Sequence, residues 1–136
     1  MAKIDAAKVW SLNYWLLMTV ITSVAPAVAE LGLETKELFV LAAIDEHPHP
    51  AELAAALCMP KPSVTVNVKH LEAAGLVRRE IDASDLRRHR LFVTSAGRKV
   101  MTRGLALLSE AFSARFGRLN NAEQAQLKVL LEKMTA

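Results

Sequence analysis

Hydrophobic and polar residues along this chain repeat mostly with the period of a helix. The longest apolar run, VWSLNYWLLMTVITSVAPAVA, extends from Val9 to Ala29 without a charged residue. At about 100° per residue, Lys8, Ser11, Thr19, Thr22, Ser23, Pro26 and Glu30 fall within an arc of roughly 120°, which Leu12 and Trp15 interrupt and Asn13 lies outside. The pattern predicts a first helix with one narrow polar stripe, stopped at Gly32. TKELFVLAAIDEH predicts a second helix, with Thr35 as its N-cap and Leu38, Leu41 and Ala42 at helical spacing. The HPHP of residues 47–50 breaks it, and Pro50 suits the first turn of a third helix, AELAAALCM. KPSVTVNVKHLEAAG predicts a fourth, with Val64, Val68 and Leu71 on its inner face and Gly75 closing it in the left-handed region. LVRREI and RLFVT have strand character and ASD makes a turn between them. Arg87, Arg88 and Arg90 fall at or near the tip of that hairpin. Thr94 caps a long helix from Ser95 to about Phe116, on which Met101, Leu105, Leu108, Phe112 and Phe116 recur every three or four residues. Asn120 and Glu123 form a capping box for a last helix with the stripe Leu127, Leu130, Leu131 and Met134. The class is therefore mainly α with a small β-hairpin.

Composition narrows the setting. The 136 residues make one domain of common size. The single cysteine, Cys58, forms no internal disulfide, so nothing points to an oxidising compartment. The net charge of +3 is unevenly placed. Between Lys61 and Arg103 lie ten Lys and Arg against four acids, while the remainder holds seven bases and ten acids. A basic middle within a mildly acidic protein is the footprint of a polyanion-binding face, although a solvated charged face reads the same way by charge alone.

The opening run admits two further readings. It is long enough to cross a bilayer, and Ala25, Ala27 and Ala29 are spaced like a signal-peptidase site downstream of Lys3 and Lys8. A lipid-facing helix gains nothing from a polar stripe that continues into Lys8 and Glu30, and Asp5 weakens the basic N-terminal region of a signal peptide. A helix packed on most sides in a soluble dimer fits both features better, with an exported or membrane-anchored helical protein as the alternative.

The chemistry concentrates where two short helices meet across the tight turn CMPKP, a helix-turn-helix arrangement. The second of these helices carries hydroxyls and a lysine outside and valines and a leucine inside, as a helix entering a DNA major groove requires. The basic hairpin follows directly, and an arginine at its tip can enter a minor groove. The run S-V-T-V-N-V-K-H-L-E-A-A-G-L-V-R-R, then D-A-S-D-L-R-R, then L-F-V-T-S-A-G, resembles the MarR family of winged-helix transcription regulators. The resemblance covers nearly the whole chain, including the helix before E-L-G-L and the two C-terminal helices.

The resemblance implies a winged helix-turn-helix lobe (residues 34–103) flanked by N- and C-terminal dimerisation helices (1–32 and 104–136) within a single domain, 1–136. It implies a cytoplasmic homodimer, probing two successive major grooves of a pseudo-palindromic double-stranded DNA operator. Lys61, Ser63, Thr65, Val66, Lys69 and His70 then lie where the family reads or grips DNA, with Arg79, Arg88 and Arg90 in the same basic surface. Asp85 and Arg87 match the wing's Asp-x-Arg, in which the arginine reaches DNA and the acid helps hold the wing. Three departures stand out. Leu86 and Val66 occupy positions that are often arginine, and Pro60 stands where a capping Ser or Thr is usual. A valine touches only a thymine methyl or sugar, so modest base readout and a large phosphate contribution are expected. A winged-helix dimer that has lost specific reading is the corresponding alternative.

The resemblance also implies a small-molecule effector, often an aromatic or phenolic acid, and a repressor that the effector releases. Trp10, Tyr14, Trp15 and Phe39 are the candidate ligand-pocket residues, although aromatics at helical spacing equally serve a core. Cys58 replaces a common turn glycine and is expected as a buried turn residue without redox function. His47 and His49 flank prolines and are expected in a solvated loop rather than on a metal. His70 and His89 either contact DNA or are simply exposed. Arg78 and Arg79 have Glu72 and Glu80 as alternative partners. No cofactor is implied. No catalytic triad, metal cluster, carboxylate pair or phosphate-cradling glycine loop is apparent, which argues against an enzyme.

Overall fold

The computed structural model describes residues 2–136. Six helices and one hairpin follow in the order α1 (Ala6–Glu30), α2 (Thr35–Ala43), α3 (Pro50–Leu57), α4 (Lys61–Ala73), β1 (Val77–Asp82), β2 (Asp85–Val93), α5 (Ser95–Phe116) and α6 (Asn121–Thr135). The chain divides into two compact units. One combines the chain up to Ser23 with Leu108–Ala136, and the other is Val24–Leu107.

In the second unit α2, α3 and α4 pack on one another and on the base of the hairpin. Leu38, Leu41, Ile44, Leu53 and Leu71 are fully buried there, with Val64, Val68 and Leu91 nearly so. Val24 and Val28, one turn apart on the C-terminal part of α1, are buried in the same unit. Only the base of the hairpin enters this core, through Leu76, Val77 and Leu91. Thr94 closes the base twice over, its N–H donating to the Leu76 carbonyl (3.0 Å) and its hydroxyl to that of Gly75 (2.7 Å). The same hydroxyl oxygen accepts the Gly97 N–H at 3.0 Å and so caps α5. Gly32 and Gly75 both take positive φ (84° and 75°), as the helix stops require.

In the first unit the picture differs. No residue of α6 is buried. Trp10, Leu12, Trp15, Leu17, Val129 and Met134 are each more than half exposed. Three of the α1 hydroxyls are bonded within their own helix. Ser11, Thr19 and Ser23 donate to the Ala7, Trp15 and Val20 carbonyls at 3.0, 2.6 and 2.7 Å. The capping box at α6 is complete, with Asn120 and Glu123 exchanging backbone-to-side-chain hydrogen bonds of 2.9 Å in both directions.

Several boundaries differ from the sequence reading. The N-cap of α2 is Glu34, not Thr35, because the Glu34 N–H donates to the Glu37 carboxylate at 2.9 Å. Helix α2 ends at Ala43 rather than His47, since Pro48 offers no N–H to continue the ladder and disfavours helical backbone at His47. Strand β2 begins at Asp85 rather than Arg90. Both faces of the outer hairpin are wet, so backbone pairing continues there without the polar–apolar alternation by which a strand is read. Cys58 is exposed, not buried, although it does occupy a left-handed position (φ 52°) at the end of α3.

Two substitutions test these backbone constraints with opposite signs. A Cβ on Gly97 would lie 2.0 Å from the Leu76 carbonyl oxygen, so Gly97→Ala is expected to lower unfolding free energy by about 3 kcal/mol. Cys58→Gly relieves a left-handed backbone and is expected to raise it by about 1 kcal/mol. Urea denaturation at fixed protein concentration reads both.

Candidate nucleic-acid interface

Helix α4 is fastened by one face and open on the other. Val64, Asn67, Val68 and Leu71 point into the core, while Lys61, Ser63, Thr65, Val66, Lys69 and His70 are all exposed. The Thr65 hydroxyl donates to the Lys61 carbonyl (3.0 Å), which leaves its oxygen available as an acceptor. Among the described residues Lys61 and Lys69 form no ion pair, so both positive charges face solvent. Val66 is 51% exposed, an apolar spot on an otherwise polar face.

His70 has a partner that the sequence did not suggest. Its Nδ1 lies 3.5 Å from Glu37, a carboxylate nine-tenths buried that also accepts the Glu34 N–H. One acid thus ties the start of α2 to the outer edge of α4. The i, i+3 spacing of Glu34 and Glu37 was the available signal for it.

The hairpin stands beside this helix. Its strands pair antiparallel from Val77↔Val93 to Ile81↔His89, and the register then shifts so that Asp82 pairs with Asp85. Leu86, Arg87 and Arg88 fall within that shift. The Arg87 side chain is 90% exposed, and the Asp85 carboxylate accepts both its N–H (3.0 Å) and its Nε–H (3.3 Å). The remaining arginines are more engaged. Arg88 reaches Glu52 on α3 at 3.1 Å, Arg79 reaches Glu72 on α4 at 2.8 Å, and Arg78 pairs with Glu80 at 3.3 Å. Arg78 and Arg90 also lie over the Phe92 ring, at 4.9 and 5.5 Å from its centroid. Leu86 is almost fully exposed among them.

The solvated-loop reading of HPHP fails at His49. Its side chain is 12% exposed, with Nδ1 3.1 Å from the His89 carbonyl oxygen and Nε2 3.4 Å from Asp82. Just before it, the Pro48 carbonyl accepts the Leu91 N–H at 2.8 Å. The prolines shape a seat for the hairpin. The Asp82 carboxyl is held below its ordinary range by the hydroxyl and N–H of Ser84, with attraction from His49 and Arg88 adding to them. Arg98 on α5 likewise lowers Asp45 through a bidentate ion pair.

Of the aromatic candidates, Phe39 lies in the second unit and Trp10, Tyr14 and Trp15 in the first. Phe39 borders an open cleft of about 430 Å³ with Ala42, Ala43, His47 and Leu57. Trp10, Tyr14 and Trp15 cluster along α1, their ring centroids 6.3 and 5.6 Å apart in sequence order. Among the described residues no three His, Cys, Asp or Glu side chains are placed to hold a metal ion.

Comparison with known proteins agrees with this arrangement. The family model described as "MarR family" matches residues 31–88. The transcriptional regulator HosA of Escherichia coli O127:H6 is 32% identical over 97 residues, covering 70% of this chain and 72% of HosA. Two solved structures superpose over nearly their whole length. A MarR family protein of Mycobacterium tuberculosis in complex with p-aminosalicylic acid is 26% identical, with a TM-score of 0.76 over 93% of this chain and 97% of that one. MepR of S. aureus in complex with DNA shares the fold, with a TM-score of 0.78 over 98% of each chain at 19% identity. With the helix-turn-helix, the basic hairpin and a relative covering most of the chain in agreement, this protein belongs to the MarR family of transcription regulators and is not an enzyme.

Proposed function

We propose that the chain acts in the cytoplasm as a homodimer that represses transcription from a pseudo-palindromic site and is released by a small aromatic or phenolic effector. The observation that carries this reading is the open face of α4 beside the exposed Arg87. Lys61, Ser63, Thr65, Val66, Lys69 and His70 then meet the major groove. Arg87, aimed by Asp85, meets the adjacent minor groove. Arg79, Arg88 and Arg90 add to the positive field while bound to their own partners.

The apolar sides of α1 and α6 support dimerisation. Tryptophans and leucines so exposed are costly in water, and the hydroxyls of Ser11, Thr19 and Ser23, satisfied within their own helix, permit burial against a second copy. Residues 1–32 and 104–136 serve as the dimerisation helices and 34–103 as the DNA-binding lobe. Trp10, Tyr14, Trp15 and Phe39 are the side chains we assign to effector contact. The aromatic acid bound to the M. tuberculosis relative supports that ligand class. An effector that changes the spacing of the two α4 helices would shift DNA affinity by differential binding to the two states.

A membrane-anchored reading draws on one observation. Helix α1 is long and apolar enough to cross a bilayer, and most of it is exposed. Placing α1 in lipid would draw Val24 and Val28 out of the core that carries α4, which disfavours it. An intact mass that lacks the residues up to Ala29 would favour export instead.

Fluorescence anisotropy against DNA upstream of the protein's own gene, with a scrambled duplex as control, tests specific binding. Arg87→Ala is expected to weaken binding and to lower the slope of log affinity against log salt by about one. An unchanged slope would remove Arg87 from the interface. Leu16→Glu is expected to give monomers that bind DNA at least tenfold more weakly, on the order of the loss of one half-site. Sedimentation that still finds a tight dimer would remove α1 from the subunit contact.

A further inference from the structure

Pro48, His49 and Glu52 meet the hairpin through four contacts, and the two made by His49 share one requirement. The Pro48 carbonyl accepts the Leu91 N–H, and Glu52 holds Arg88. Between them His49 offers Nδ1 to a carbonyl oxygen and Nε2 to a carboxylate oxygen. Both neighbours are acceptors. A neutral imidazole has one N–H and can satisfy one of them, leaving a lone pair facing the other oxygen. An imidazolium donates to the carbonyl oxygen and also pairs in charge with Asp82 across a contact that is mostly shielded from water.

We propose that His49 is a positioning residue for DNA binding. Its imidazolium clasps Asp82 on β1 and the His89 carbonyl on β2, fixes the hairpin against α3, and thereby makes DNA affinity fall as pH rises through the histidine range. The inference rests on the reading of the hairpin as a DNA-contacting wing. His49 itself touches no DNA and acts through the strands that carry Arg87.

The surrounding charges leave this role to the histidine. On α3, Glu52 is occupied by Arg88 of β2. In the preceding turn, Glu46 lies 4.0 Å from His47. On β1, Asp82 stays ionised through the histidine range, since its carboxyl is held low chiefly by Ser84. His89 contributes its carbonyl here, while its own ring is exposed. The sign follows directly. Protonated His49 makes both contacts and neutral His49 only one, so the seat is intact with the imidazolium and loosened without it. His70 and His89 also gain charge near the DNA-facing surface as pH falls, and the variants must separate their effect from that of His49.

The test uses the full-length protein and a labelled duplex that the wild type selects from a random-sequence pool. First, nitrogen-15 spectra of the imidazoles in the free protein are expected to show both His49 nitrogens protonated at low pH. The amides of 86–91 should exchange faster as that proton is lost. Second, His49→Gln is expected to weaken DNA binding up to about tenfold at low pH, through loss of one mostly shielded ion pair, and to flatten the pH dependence while leaving the salt slope unchanged. Asp82→Asn keeps an acceptor for Ser84 and offers an amide N–H to a neutral His49. It is expected to show the same reduced pH dependence as His49→Gln, which guards against a misfolded His49→Gln. Wing amides that exchange alike in wild type and both variants would overturn the inference without reference to DNA. Unchanged affinity and pH profile in both variants, with Arg87→Ala still weakening binding, would overturn the inference alone. Loss of no affinity in any of the three would overturn the wing reading and the inference with it.

Discussion

The burial of one face of α4 is the constraint on which the proposed DNA-facing surface depends. Val64, Val68 and Leu71 are essentially inaccessible against Leu38, Leu41 and Leu53. Each such side chain contributes on the order of 2 kcal/mol, against about 0–1 kcal/mol for an exposed pair such as Arg78–Glu80. The core therefore fixes where α4 lies, and the ion pairs only aim what it presents. Because the inner face recurs at helical spacing, the residues between, from Lys61 to His70, are forced outward whatever their chemistry. Function is written on positions that packing leaves free.

The hairpin follows a different logic. Only its base is buried, so its outer half owes its orientation to polar contacts with the α3 end of the helix-turn-helix. Pro48, His49 and Glu52 supply them, and Asp85 then directs Arg87. The two elements proposed to approach a duplex are thus carried by one scaffold but held by interactions of different kind. Packing is insensitive to pH and salt over ordinary ranges, whereas a charged clasp responds to both.

Much of this was legible in the chain itself. The periods of α4, α5 and α6, the caps at Thr94 and Asn120, and the stops at Gly32 and Gly75 each have a local cause, so local pattern sufficed. The first helix was read correctly as a helix, and its tryptophans are exposed in the protomer, an exposure that periodicity alone does not distinguish from burial in a core. What escaped was non-local. His49 lies forty residues from His89, and Glu37 thirty-three from His70, and no spacing rule joins such pairs. The start of β2 escaped because a strand wet on both faces shows no alternation, and Glu34 was passed over as a cap because its backbone N–H, bound by Glu37, makes the contact.

Hydroxyl-radical footprinting of the protein on its selected duplex tests the central claim, that α4 and the hairpin form one DNA-reading surface repeated in a dimer. The expected result is protection on one face of the duplex, in two sets about one helical turn apart, each pairing a major groove with an adjacent minor-groove segment that Arg87→Ala re-exposes. Protection of a single groove, or a pattern that ignores Arg87, would contradict it.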